Sequence, residues 1–167
     1  MAVDMKELKA LVSHLEGLRE KRLAQQLEIG KLILPSRGLF KGEETECLRD
    51  ANLFNPAAQR ALRKAAAGMT QAITPSSNPW FRHAFLSRDD REVTYANEFI
   101  DAVDSRIRSV LSEGGFYQAI HSFNKELLGF GCALICCEES LKTVTRFFCQ
   151  TCGTYAVALD ADRMLSC

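Results

Sequence analysis

The first thing missing from this sequence is net charge. Lys plus Arg number 21 and Asp plus Glu number 21. No global attraction to nucleic acid or to an anionic membrane is therefore built in, and only local patches could supply one. Long apolar runs are missing too, since nothing approaches the roughly 18 uninterrupted apolar residues of a membrane span. The opening Met1-Ala-Val-Asp-Met-Lys6 has no apolar stretch of the kind a secretion signal needs, so export is not expected. No Asn-x-Ser/Thr sequon occurs. Cysteine is too sparse for a disulfide-stapled domain, which carries roughly 8–10%. The seven present are Cys47, Cys132, Cys136, Cys137, Cys149, Cys152 and Cys167, an odd count. Free thiols in a reducing cytosol are the expectation.

The signatures of enzymes are absent in turn. There is no G-x-x-x-x-G-K-[ST] phosphate loop. Gly129-Phe-Gly131 opens a G-x-G-x-x-G, but Leu134 stands where the third glycine belongs and no helix is expected after it. Neither H-E-x-x-H nor G-x-S-x-G is found. His14, His83 and His121 lie in separate segments, and none has an obvious nucleophile beside it. The carboxylate pairs Asp89-Asp90 and Glu138-Glu139 sit where turns are expected. Neither a catalytic site nor a cofactor is predicted.

What is present is an ordinary globular composition in 167 residues, with 47% apolar and 25% charged. That length fits one domain. Residues 4–33 read as a long helix, with Asp4 as N-cap and Glu7 completing a capping box. Leu8, Leu11, Val12, Leu15 and Leu18 form one apolar stripe, which then rotates towards Leu23, Leu27 and Ile29–Leu34. Pro35-Ser-Arg-Gly38 stops it, and a charged loop follows over 36–54. Asn55-Pro56 caps and starts a second helix with an alanine-rich apolar face that includes Met69. Thr74–Pro79 is a breaker cluster, and Trp80-Phe81 after it are expected to plug a core. Residues 93–113 carry Tyr95, Phe99, Val103 and Ile107 on one side, with Asp101, Asp104, Arg106 and Arg108 assigned to the wet sides. Gly114-Gly115 ends that helix, and another follows at about 116–128, beginning with Phe116.

After Gly131 the period changes. Cys132–Cys137, Thr143–Phe148 and Thr154–Leu159 read as short strands, with Glu138-Glu139 bounding the first. Met164–Cys167 looks like the start of a returning strand, so the chain reads as the front of something longer. The expected fold is α+β: three or four helices, then a small antiparallel sheet or hairpin. It forms one region, 1–167, helical over 4–128 and β-rich over 130–167. Trp80, Phe81, Met69, Phe99 and Phe116 are its candidate core residues.

One constellation could carry chemistry. Cys149-Gln-Thr-Cys152 is a C-x-x-C, and Cys136-Cys137 precede it. Four thiols could hold a tetrahedral zinc or run a redox cycle. Adjacent cysteines on a strand point to opposite faces, however, which is poor geometry for one ion. Buried apolar thiols are the simpler reading, and a small zinc-binding or thiol-redox module is the alternative.

The order of segments points elsewhere. Ile33-Leu-Pro-Ser-Arg-Gly-Leu-Phe40 follows the first helix. Ala65-Ala-Ala-Gly-Met69, Ile73-Thr-Pro75 and Asn78-Pro-Trp-Phe81 come next. Gly115-Phe-Tyr-Gln-Ala-Ile120, Leu128-Gly-Phe-Gly-Cys-Ala-Leu134 and Gly153-Thr-Tyr155 complete the series. Together, over about residues 15–165, these blocks resemble the head-to-tail connector (portal) proteins of short-tailed, T7-like bacteriophages. The resemblance implies a structural subunit of a homo-oligomeric ring, typically of twelve copies, at a capsid vertex of the virion, assembled in the host cytoplasm. Its partners are then the capsid, a terminase that supplies the ATPase chemistry, and tail proteins. Double-stranded DNA passes through the ring non-specifically, and no membrane is involved. A weakly charged lumen suits such a channel, because it does not grip phosphates. Family members are several times longer, so the chain corresponds to the N-terminal, wing-forming part and is expected to be a fragment. The thiol-rich segment 132–152 is not part of the family pattern.

Overall fold

Helix α1, Met5–Leu32, forms where straight-chain residues and leucines dominate. Its termination is written in the backbone. The Ile33 and Leu34 amides both reach back to the Ile29 carbonyl, at 2.8 and 3.2 Å, and Pro35 has no amide with which to continue. The Arg37 amide then closes a turn onto the Leu34 carbonyl, and Gly38 takes a φ of 89°. In this computed structural model the residues described are 5–38, 55–85 and 94–157. The Asp4 cap, most of the charged loop and the returning strand at 164–167 lie outside them.

Three more helices and two strands follow among the described residues. They are α2, Ala57–Ile73; α3, Thr94–Glu113; α4, Phe116–Phe130; β1, Leu134–Ser140; and β2, Val144–Gln150. The strands form a two-stranded antiparallel sheet, so the architecture is α+β. No helix among the described residues is long and apolar enough to cross a membrane. At the start of α2, Asn55 Oδ1 accepts the Ala57 amide at 3.0 Å, the orphan-donor role of an N-cap.

The chain divides into two compact units. The first lies within 1–62, 126–133 and 150–167. Its core is Leu34, Leu62, Phe130 and Cys152, flanked by Leu23, Leu27, Ile29, Ile33 and Cys132. Only the rear of α1 therefore joins a core. Met5, Leu8, Leu11, Val12 and Leu18 on its front half are exposed. Gly129 faces this core, and a Cβ at that position would lie in ordinary contact with the Leu34 side chain, at 3.4 Å.

The second unit lies within 63–125 and 134–149. Ala66 of α2 and Ala119 of α4 are buried, small enough for two helices to approach closely. The contact is fixed by Thr70. Its hydroxyl donates to the Ala66 carbonyl at 2.8 Å and accepts Asn124 Nδ2 at 2.9 Å. His121 Nδ1 meets the same oxygen at 3.3 Å. The hydroxyl proton is already committed, so the imidazole must donate. Burial, and then Lys125, lowers the His121 pKa, which keeps the ring neutral. The Gly114-Gly115 turn needs both glycines. Gly115 has a φ of +77°, and a Cβ on Gly114 would lie 2.6 Å from the Thr145 carbonyl oxygen. That closeness lets the Phe147 amide donate to the Gly114 carbonyl at 2.8 Å, which anchors β2 beside the turn.

Two strand expectations are corrected. The first strand does not stop at Glu138-Glu139 but runs through both to Ser140. These carboxylates are exposed, so the strand carries them without burying charge. The reversal is made instead by the Ser140 hydroxyl, which accepts the Lys142 and Thr143 amides at 3.3 Å each. Thr154–Val157 is not a strand. The carbonyls of Gly153, just before it, and of Tyr155 within it are taken by Arg19 Nη1, at 2.6 and 3.4 Å, in place of a partner strand.

Candidate functional site

The most heavily constrained group in the first unit is a carboxylate. Glu126 on α4 is 0% exposed. One oxygen accepts Arg37 Nε at 2.7 Å, and the other accepts the Cys152 amide at 2.8 Å. Three segments distant in sequence thus meet on one side chain: the turn after α1, α4, and the turn after β2. With both oxygens occupied by donors, the group serves as a structural anion. A sequence signal for it exists. Glu126 falls at +3 from Phe123 and −4 from Phe130, on the helix face those residues bury. Spacing gives no clue to its partner Arg37, 89 residues away.

Around Cys152 the first unit holds a cavity of about 400 Å³. Leu15, Leu18, Gln26, Cys132, Cys152 and Tyr155 are among its walls. Gln26 is buried and its Oε1 has no hydrogen-bond partner. Burial, then the neighbouring Cys132 thiol and the Glu126 charge, pushes the Cys152 thiol up to about 12. Tyr155 is raised by burial and by Cys132. Burial thus keeps the Cys152 thiol protonated at neutral pH.

The four thiols of the zinc or redox alternative are spread along the hairpin and the turn beyond it. Cys136 is half-buried and Cys137 exposed on β1, Cys149 is half-buried on β2, and Cys152 lies buried in the following turn. Among the described residues no three His, Cys, Asp or Glu side chains converge as metal ligands. Cys152 instead has the Cys132 sulfur 3.9 Å away.

The second unit gathers aromatic rings. Trp80 stacks on Phe116, with centroids 5.9 Å apart and planes 10° apart, and meets Phe81 edge-on at 4.8 Å. Phe147 of β2 packs edge-on against Phe116 at 5.3 Å, and Trp80 Nε1 donates to the Tyr117 hydroxyl at 3.4 Å. The structure therefore brings Trp80, Phe81 and Phe116 together. Met69 is half-buried on α2. Phe99 does not join them: it is 59% exposed, and Tyr95 is 77% exposed. The residue assigned to the wet side, Asp104, is 1% exposed. The buried face of α3 is thus rotated from the one the large side chains mark. Asp104 is drawn inward because it accepts the His83 amide at 3.1 Å and pairs with the His83 ring through Nδ1. Those bonds lower its pKa. A hydrolytic triad needs a hydroxyl or thiol on the other ring nitrogen, and among the described residues none hydrogen-bonds there.

The first unit is thus braced by the buried Glu126 carboxylate, and the second by its aromatic stack, the Asp104–His83 pair and the Gly114-Gly115 turn. The family model for the bacteriophage head to tail connecting protein matches residues 5–166. The chain belongs to that family. It is 29% identical over 163 residues to the probable portal protein of Bordetella phage BPP-1, a match covering 92% of this chain and 29% of that relative. This connector chain therefore spans under a third of the curated relative's length. The family is a structural one, and the braced geometry of the connector chain fits that class.

Proposed function

We propose that this connector chain is the N-terminal, wing-forming portion of a portal subunit of the short-tailed, T7-like type. In this reading copies pack side by side into a ring in the virion. Capsid, terminase and tail contact that ring, and double-stranded DNA crosses it on the way in and out. The observation that carries the proposal is the family match over residues 5–166. The zero net charge supports it, since a conduit for DNA must not hold its phosphates.

A surface for neighbouring copies is available on α1. Met5, Leu8, Leu11, Val12 and Leu18 are exposed at helical spacing. Lys9 and Glu16 are exposed on the same helix, giving both signs of charge for a like surface on another copy. Sedimentation equilibrium of the purified chain tests the reading. The expected result is concentration-dependent self-association that is lost in a Leu8→Glu, Leu11→Glu double variant with an unchanged circular dichroism spectrum. A monomer at every concentration overturns it.

A further inference from the structure

Cys132 and Cys152 belong to the same compact unit and place their sulfurs 3.9 Å apart. Cys132 follows Gly131, whose φ is 76°, at the exit of α4, and Cys152 precedes Gly153, whose φ is 103°. A disulfide holds its sulfurs about 2.05 Å apart. Closing the pair requires the two sulfurs to move together from 3.9 Å to that bond length. The backbone around Cys152 is already held, by Glu126 on its amide and by Arg19 on the Gly153 carbonyl. Both thiols line the cavity, which gives a small reagent a route to them.

From this geometry we infer that Cys132 and Cys152 form a reversible thiol–disulfide pair, oxidised by exchange with a small-molecule disulfide such as oxidised glutathione. In the first step the Cys132 sulfur, the less buried of the two, attacks one sulfur of the reagent. Its S–S bond breaks and one glutathione leaves as the thiol. In the second step Cys152 loses its proton and attacks the Cys132 sulfur of the mixed disulfide. The second glutathione departs, taking the proton. Two protein thiols and one disulfide become one protein disulfide and two thiols. The product ties the exit of α4 covalently to the turn that Glu126 and Arg19 already brace. Cys132, Glu126, Tyr155 and Arg19 surround Cys152, and burial leads the causes that keep its proton on. The closing step therefore accelerates as pH rises.

The biological timing rests on the portal reading. A virion protein is assembled in a reducing cytosol and released into an oxidising exterior, so the pair is open during assembly and closed in the free particle. The chemistry itself is tested without that reading. The purified full chain, fully reduced and then treated with oxidised glutathione at mildly alkaline pH, should lose two hydrogens in intact mass. It should yield a Cys132–Cys152 linked peptide on digestion and unfold several degrees higher than the reduced chain. Dithiothreitol should reverse all three changes. Cys132→Ser and Cys152→Ser should each abolish the linked peptide, and Cys149→Ser should retain it. Both thiols recovered free, glutathione left on Cys132 without closure, or a link through another cysteine overturns the inference. None of these outcomes bears on self-association, which tests the portal reading separately.

Discussion

Replacing Arg37 by Met removes the cation from Glu126 while keeping most of the side-chain volume. Glu126 is 0% exposed and keeps the Cys152 amide as its other donor. Breaking a fully buried pair on one side costs about 3–5 kcal/mol, because a charge is left behind without its partner. The Arg37 side chain is 28% exposed, so water relieves part of that penalty and about 3 kcal/mol is expected. Glu126→Gln is milder. An amide oxygen can still accept the Cys152 amide, and only the charge assistance is lost, for about 1.5 kcal/mol. The double variant leaves no buried charge and should cost about 2 kcal/mol, so the two changes are strongly non-additive, with a coupling near 2.5 kcal/mol. Urea unfolding followed by circular dichroism reads this out, since urea does not screen ion pairs. The midpoint should shift at an unchanged slope in all four proteins. A cost below about 1 kcal/mol for Arg37→Met, or additivity within about 0.5 kcal/mol, would show that Arg37 and Glu126 are not coupled as a buried pair.

Three further perturbations probe other contacts. Trp80→Ala should cost about 3 kcal/mol in the same assay, the low end for a tryptophan truncation because the ring is half-buried; a loss below about 1 kcal/mol marks an exposed contact residue instead. Val144 has a φ of 65° and is exposed, so Val144→Gly should stabilise by about 1 kcal/mol, the relief of a left-handed β-branched residue less the entropy glycine adds to the unfolded chain. A destabilised variant would contradict that strain. The lowered pKa of His121 means the unfolded chain binds the proton more readily than the folded one. Stability should therefore be full above the ordinary histidine value and fall as pH drops through it. His121→Gln should flatten that part of the pH–stability curve, and an unchanged slope refutes the assignment.

The helices were legible because their punctuation is chemical. Pro35 cannot donate, Asn55 can cap, and Gly115 can turn, and each marks an end the structure shows. The strands were less so. Glu138-Glu139 looks like a turn by composition, yet an exposed ribbon carries carboxylates freely, and the reversal depended on one hydroxyl two residues on. On α3 the large side chains suggested one face. Asp104 turned another inward because His83, 21 residues earlier, supplies two donors that no local pattern announces. Periodicity alone could have flagged Glu126 as buried. Its partner Arg37, and Cys132 as the neighbour of Cys152, depend on chain reversals that no sequence spacing encodes.

In the proposed ring, copies of the chain pack against one another through the exposed front of α1. Cross-linking an equimolar mixture of isotope-labelled and unlabelled chain through lysine tests this packing most directly. The expected products are peptides joining a light and a heavy chain that include Lys6 or Lys9, beside the exposed leucines. Links confined to single chains at every protein concentration would contradict it.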